Sequence, residues 1–441
     1  MAKAIWSYPT PIKFQTRLVF VAKKSETFPS FIELSPILIP YFLGFFIFRG
    51  FFSVFPLYLQ VKFALTDTAT VVLWGQIGSV AFFVGAASRL PAGLISDWLG
   101  RKKAIALGYV IYLISMVLVV LSDLPVIYML ALSMIRFGVN MFAMTGRAIV
   151  SVSKRDRGMK NGLLSAMVGL GSFSGPYLFA YLLDHYPPDS IIFAGMIIIL
   201  FDVIFFLITL RLIPRLFKLL FPEEPMDLDL SAPPAKKRIH LAAIKREGVP
   251  EAFFLFFMAG LIFGLISAVY SVYGYNILNL SLTFVGFITG AASLVQVIWA
   301  PIVGKLYDYI RDEDIRLIGW TIAILGTGST ALSKIHLGFF IAGLFLLNLA
   351  ISTYFTMEIT RIGRIVEPQE FSFVFGMMTS LSIFGTAFAN SLGPFFYDIS
   401  PEGPFIASFV ICIPPLIMVI FTRRIHLAKR VKQHSDAAAG K

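Results

Sequence analysis

The sequence predicts an all-α membrane protein with twelve transmembrane helices in two pseudo-symmetric six-helix bundles, on three observations. Of its 441 residues, 57% are hydrophobic and 14% charged, against about 45–50% apolar and about 25% charged in soluble domains, and the mean hydropathy is +0.82. The chain holds twelve apolar runs long enough for a helix, rising about 1.5 Å per residue, to cross about 30 Å of hydrocarbon. Lysine and arginine are one-sided. The two termini and the loops on their side carry 32 of them, the opposite loops only Lys62 and Lys334. That asymmetry puts both termini in the cytosol.

Every run reads as helix, because backbone polar groups cannot go unpaired in lipid and the runs are about twice the length of barrel strands. Residues 1–35 carry Lys3, Lys13, Arg17, Lys23 and Lys24 without a cleavable apolar core, and are expected to be a cytosolic extension. The N-terminal bundle, 36–213, holds six spans. They are 36–60 with Arg49, Gly50 and Pro56; 69–92 with Gln76 and Arg89; 103–122; 125–146 with Arg136 and Asn140; 162–183 with Gly171, Gly175 and Pro176; and 190–212 with Asp202. The pattern then stops over 214–252, where PEEPMDLDLSAPPAKKRIH reads as a cytosolic linker. The C-terminal bundle, 253–422, holds 253–275 with Tyr270 and Tyr273, which three-residue spacing puts on one face; 282–304 with Gln296; and 315–333. Next come 337–357 with Asn348 and Tyr354, 372–396 with Asn390 and Pro394, and 404–422 with Cys412. Residues 423–441 form a basic cytosolic tail suited to anionic lipid head groups.

An internal repeat supports the two halves. Gly93 precedes Asp97 by four residues after the second span, and Gly304 precedes Asp308 in the same way after the eighth. Gly93, Asp97, Gly100 and Arg101, with Asp308 in the second copy, are a candidate conformational latch: glycine permits close helix contact while the charges pair across the face. An ordinary positive-inside loop would explain the basic residues but not the recurrence.

The run Gly93-Leu-Ile-Ser-Asp97-Trp-Leu-Gly100-Arg101-Lys102-Lys103 resembles the signature loop of the major facilitator superfamily. Gly50, Pro56 and Tyr58 are similar to a pattern of its drug–proton antiporter branch, with Leu59 in place of a second proline. Gly171, Gly175 and Pro176 resemble the antiporter GxxxGP motif, with Phe179 and Ala180 in place of two later glycines. Arg136 stands where the family often has a membrane-embedded arginine, with Val139 and Asn140 in place of the usual glutamine and glycine. The resemblance implies rocker-switch transport in a plasma membrane: two bundles rocking about a midplane site, with proton-coupled efflux as the activity of the antiporter branch.

Arg49 and Arg136 lie near the middle of their spans, where a charge costs roughly 2.5–3.5 kcal/mol on insertion scales. Asp202 is the one acid at similar depth. Three readings stay open: a structural network with Asp202, an anionic substrate as the missing counter-charge, and an arginine tuning a proton-binding acid. Asp202 and Glu358 are the proton-coupling candidates; for Glu358, a gate-side partnership with Arg361 or Arg364 is the alternative. Substrate-binding candidates are Arg49, Arg136, Asn140, Tyr270, Tyr273, Gln296 and Tyr354; the amides among them equally suit interhelical bonding.

Other classes fit less well. One cysteine excludes a disulfide framework and a cysteine-ligated metal, and no P-loop supports ATP-driven transport. The acids Asp308, Asp312, Glu313 and Asp314 are not matched by a second cluster of the kind membrane prenyl transfer needs, so the chain is not expected to be an enzyme. The short tail does not resemble a signalling domain. No cofactor, metal or nucleic acid is expected. The expected partners are a small solute, protons and lipid, with the chain a monomer. Proton-coupled efflux is the leading expectation, and exchange of an organic anion or phosphorylated metabolite through Arg49 and Arg136 is the alternative.

Overall fold

The computed structural model describes residues 27–152, 157–220, 222, 241–306 and 309–438. Among them are fourteen α-helices and no strand. The N-terminal half contains α1 (Thr27–Phe63), α2 (Asp67–Ala87), α3 (Arg89–Leu99), α4 (Arg101–Leu121), α5 (Pro125–Val152), α6 (Arg157–His185) and α7 (Ser190–Leu220). A 3₁₀ turn (Leu241–Lys245) leads into the second half. There follow α8 (Val249–Val272), α9 (Leu282–Leu306), α10 (Asp312–Ala331), α11 (Leu337–Ile365), α12 (Pro368–Ile399), α13 (Gly403–Ile411) and α14 (Ile413–Ala438). Residues 1–26, most of the central linker and Asp308 lie outside the described residues.

Two expected spans are split, and proline explains both breaks. Pro91 lies in the first turn of α3 and has no N–H for the carbonyl four residues back, so the second span breaks at Ser88. Pro414 and Pro415 do the same in α14, and the last span breaks at Cys412. Other helices outrun their apolar cores: α1 begins at Thr27 and α7 continues through Pro214 to Leu220. Among the described residues, eleven helical segments have the length and composition to cross a membrane. The ninth span, α10, is not among them, because Asp312, Glu313, Asp314 and Arg316 crowd its first turns. It nevertheless packs against α11, α13 and α14 in the ninth position.

In the first bundle α1 packs on α6 and α7, α4 on α5 and α7, and α2 on α5; in the second α8 packs on α12 and α13, and α9 and α10 on α11. Two seams join the bundles, α6 against α9 and α2 against α12. Apolar side chains gain little by leaving lipid for protein, so such seams depend on small residues that let backbones approach. A Cβ at Gly50 would sit 2.7 Å from the Gly175 backbone carbon where α1 crosses α6. A Cβ at Gly286 would sit 2.5 Å from the Pro176 carbonyl oxygen where α6 meets α9.

Polar links between the bundles gather at the end opposite the termini. Asn276, in a π-helical turn (Tyr273–Ile277) that closes α8, donates to Gln60 Oε1 at 3.1 Å, and Thr283 donates to Asp184 Oδ2 at 2.7 Å. At the same end Lys62 pairs with Asp123 at 3.0 Å and Asp189 at 3.1 Å, tying three loops of the first bundle together. Glu402 does this for the second bundle, accepting from Tyr273 and Ser400 and facing Lys334. Burial alone would raise its carboxyl, but these partners and its own backbone N–H hold it below the ordinary carboxylate value.

Gly175→Ala should lower the protein's stability by about 1–3 kcal/mol, the usual cost of overpacking. The Gly376→Ala control, with open space around its Cβ, should be neutral. Thermal melts in detergent check this; equal melting temperatures would contradict the close α1–α6 crossing.

Candidate functional site

Arg49 leaves α1 halfway along its length and is exposed, although it lies at the depth where a charge needs compensation. It faces the other bundle: its guanidinium carbon is 5.9 Å from the Phe263 ring centroid on α8. Tyr270, two turns on, is its electrostatic neighbour and lies beside Ser53 of α1 and Thr289 of α9. Arg49, Ser53, Phe263, Tyr270 and Thr289 thus line a polar point between α1, α8 and α9.

Arg136 is handled differently. Its guanidinium carbon lies 3.6 Å from the Phe82 ring centroid, 4.4 Å from Phe48 and 4.6 Å from Phe52. Three aromatic faces from α1 and α2 therefore cage the cation. Its Nε has no hydrogen-bond partner among the described residues. Arg49 and Arg136 feel each other's charge, and no carboxylate among the described residues pairs with either.

The structure forms no direct network between Asp202 and the arginines. Asp202 is fully buried on α7 beside Tyr109 and Tyr112 of α4; the Tyr109 hydroxyl is its nearest polar neighbour, but the two are not aligned as a full hydrogen bond. Helix α4 stands between α5 and α7 and screens the carboxylate from Arg136; Tyr112 is the side chain that feels both charges.

Tyr270 and Tyr273 do not share a surface. Tyr270 faces Arg49, while Tyr273 is buried in the second bundle against Phe340 and Phe405, accepting from Ser333 and donating to Glu402. Three residues along a helix differ by about 60°, and here that angle, at the start of the π-helical turn, spans the boundary between the interbundle space and the core. Tyr354 is also core, packed on Phe256 and Trp320. The amides bond between or along helices: Gln296 donates to Asn348 at 2.6 Å, Asn390 to the Thr386 carbonyl at 2.9 Å, and Asn140 to the Gly85 carbonyl at 2.7 Å.

Glu358 belongs to a second charged site that the sequence only half reveals. Its carboxylate is fully buried and accepts from Arg361 at 3.0 Å, while Arg316 Nε of α10 approaches at 2.9 Å. Glu251 of α8 meets Arg316 at 2.6 Å and Arg361 at 2.9 Å, and accepts from Thr422 of α14. The Arg316 contacts are close but not aligned as hydrogen bonds, so that pairing is chiefly coulombic. Two acids and two arginines therefore tie α8, α10, α11 and α14 together near the end that carries the termini. Glu251 and Arg316 read as loop charges because each sits at the margin of a span; an arginine inside the ninth run was the available signal.

In the latch region, Gly93 and Asp97 lie on α3, Gly100 turns α3 into α4 with φ +82°, and Arg101 opens α4. Gly171, Gly175 and Pro176 lie on α6 between α1 and α9.

The family profile of the Major Facilitator Superfamily matches residues 5–151, 41–336 and 252–440. The chain belongs to this superfamily. Its members are transporters. A search of curated proteins finds no match. Among solved structures, the chain resembles the crystal structure of the human organic anion transporter MFSD10 (TETRAN), with a TM-score of 0.61 and 14% identity. The likeness covers 87% of this chain and 99% of that one, and at this identity it shows the shared fold.

Glu358→Gln leaves two buried arginines with one carboxylate, and should destabilise the protein by about 3–5 kcal/mol. An unchanged melting temperature with lost pH dependence of transport would instead make Glu358 a proton carrier.

Proposed function

We propose that this chain is a secondary transporter that carries a small organic anion between its two bundles, with Arg49 as the positive charge the substrate meets. The observation that carries the reading is a solvent-accessible guanidinium at mid-span depth without a carboxylate partner among the described residues. Arg136 adds to the positive field without needing the ligand for its own stabilisation, because Phe48, Phe52 and Phe82 already surround it. Phe263 and Tyr270 suit a substrate with an apolar or aromatic body beside its anionic group. The likeness to an organic anion transporter points the same way.

Polar links between the bundles at the end opposite the termini support access from the termini side, which the positive-inside distribution of lysine and arginine supports as the cytosolic side; the membrane in this reading is the plasma membrane. Proton coupling is a second reading, supported by one observation. Asp202 is a buried carboxylate with no cationic partner among the described residues and only the Tyr109 hydroxyl beside it, and is the group that would carry the proton. In that reading anion and proton exchange on the drug–proton antiporter pattern that Gly171, Gly175 and Pro176 resemble.

The test is a thermal-shift screen of purified protein against aromatic monocarboxylates and tetraphenylphosphonium. Ligand at about 100 times its dissociation constant stabilises the folded state by about 2.7 kcal/mol. Carboxylates should raise the melting temperature of wild type, and Arg49→Ala should weaken their binding at least tenfold, as loss of a charged hydrogen bond implies. Stabilisation by the cation alone, unaffected in Arg49→Ala, would overturn the anion reading. If protons are exchanged, Asp202→Asn should abolish pH-driven uptake into proteoliposomes while leaving carboxylate binding intact.

A further inference from the structure

The second span lies between two partners, α12 of the other bundle and α5 of its own. Along residues 75–83, α2 lies on α12 of the other bundle: a Cβ at Gly75 would meet Pro394 at 2.5 Å, Ser391 donates to Ser79 at 2.8 Å, and the Phe83 and Phe384 rings are 5.1 Å apart. On its other side the span lies against α5 of its own bundle, beginning at the latest with Phe82 under Arg136. The Arg136 stem passes over Gly85, 3.4 Å from where a Cβ would be; Met141 packs with Ala92; and Thr145 donates to Ser96 at 2.9 Å. The contacts with α5 run across the break at Ser88.

Asn140 occupies that break. Its Nδ2 donates to the Gly85 carbonyl at 2.7 Å and to Ser88 Oγ at 2.8 Å, while Ser88 Oγ itself donates to the Gly85 carbonyl at 3.2 Å. The three groups form a closed, buried triangle across the joint. Both acceptors belong to the joint and the donor to α5. The amide therefore ties the joint between α2 and α3 to α5, and α3 runs on through Gly100 into α4. Arg136 lies one helical turn before Asn140 on the same face of α5, so the caged cation and the joint share a support.

We propose that Asn140 is a positioning residue for transport: the α2–Ser88–α3 joint is where movement of α12 against α2 is passed to α5, and the Asn140 amide holds the joint at its working angle. The proposal rests on the chain's working as a transporter that rocks one bundle against the other. Asn140 does not touch substrate in this account.

The decisive variant is Asn140→Leu, of similar size but without a donor. In proteoliposomes its maximal rate should fall at least tenfold with KM within twofold of wild type, the signature of a step after binding. Hydrogen exchange of the backbone over residues 85–96 should speed up at least tenfold, while α8–α12 exchange as in wild type. Ser88→Ala, which removes one acceptor, should show the same changes at smaller size, and carries the test if Asn140→Leu does not fold. A KM that rises with an unchanged maximal rate would make Asn140 a substrate ligand and overturn the proposal; so would wild-type exchange over 85–96. Wild-type vesicles that move no organic anion would sink the transport reading by itself, and the exchange comparison would still decide whether the amide holds the joint.

Discussion

A guanidinium at the middle of a membrane-spanning helix must be answered by a carboxylate, an aromatic face, water or a ligand, because insertion at that depth costs roughly 2.5–3.5 kcal/mol. This chain has two such cations and answers them differently. Arg136 sits among three phenylalanine rings, and cation–π contacts contribute about 2 kcal/mol or more when desolvated. Arg49 is left exposed beside Tyr270, with no carboxylate partner among the described residues. The proposed site rests on that difference: in the proposal, one arginine is satisfied by the fold and the other by cargo.

The frame around this point is built by small residues. Gly50 and Gly175 bring α1 onto α6, and Gly286 brings α6 onto α9, so that α1 and α8 face each other across the middle and Arg49 meets Phe263 and Tyr270. Each bundle carries charged bracing of its own. Lys62 with its two aspartates, the Glu402 group and the Glu251–Arg316–Glu358–Arg361 cluster all bond within a bundle. Links between the bundles among the described residues include Ser79 with Ser391, Gln60 with Asn276 and Asp184 with Thr283. Strong charges inside the units and weaker bonds between them are what relative movement of two bundles requires.

Much of the fold is legible in the sequence because lipid leaves few choices: an apolar run of sufficient length has to be a helix, and Arg49 stands out as a charge in the wrong solvent. Pro91, Pro414 and Pro415 carry the signal for the two split spans, but a hydropathy reading passes over them because membrane helices tolerate proline. The charge cluster is hidden for another reason. Its members come from three separated spans, and only Glu358 and Arg361 are neighbours in sequence. Tyr273 is misplaced by spacing alone, since an angle of about 60° decides between cavity and core at the end of α8. Asp202 has the expected depth, yet which side of the helix it leaves from, and hence its tyrosine neighbours on α4, depends on how α7 is rotated in the bundle.

The central claim is that Arg49 is completed by an anion. The most direct measurement is a cryo-electron microscopy structure in lipid nanodiscs with a saturating aromatic carboxylate. The account predicts ligand density between α1 and α8, with its carboxylate within hydrogen-bond distance of the Arg49 guanidinium and its ring toward Phe263 and Tyr270. An empty interbundle space with Arg49 turned onto a carboxylate of the protein itself would contradict it.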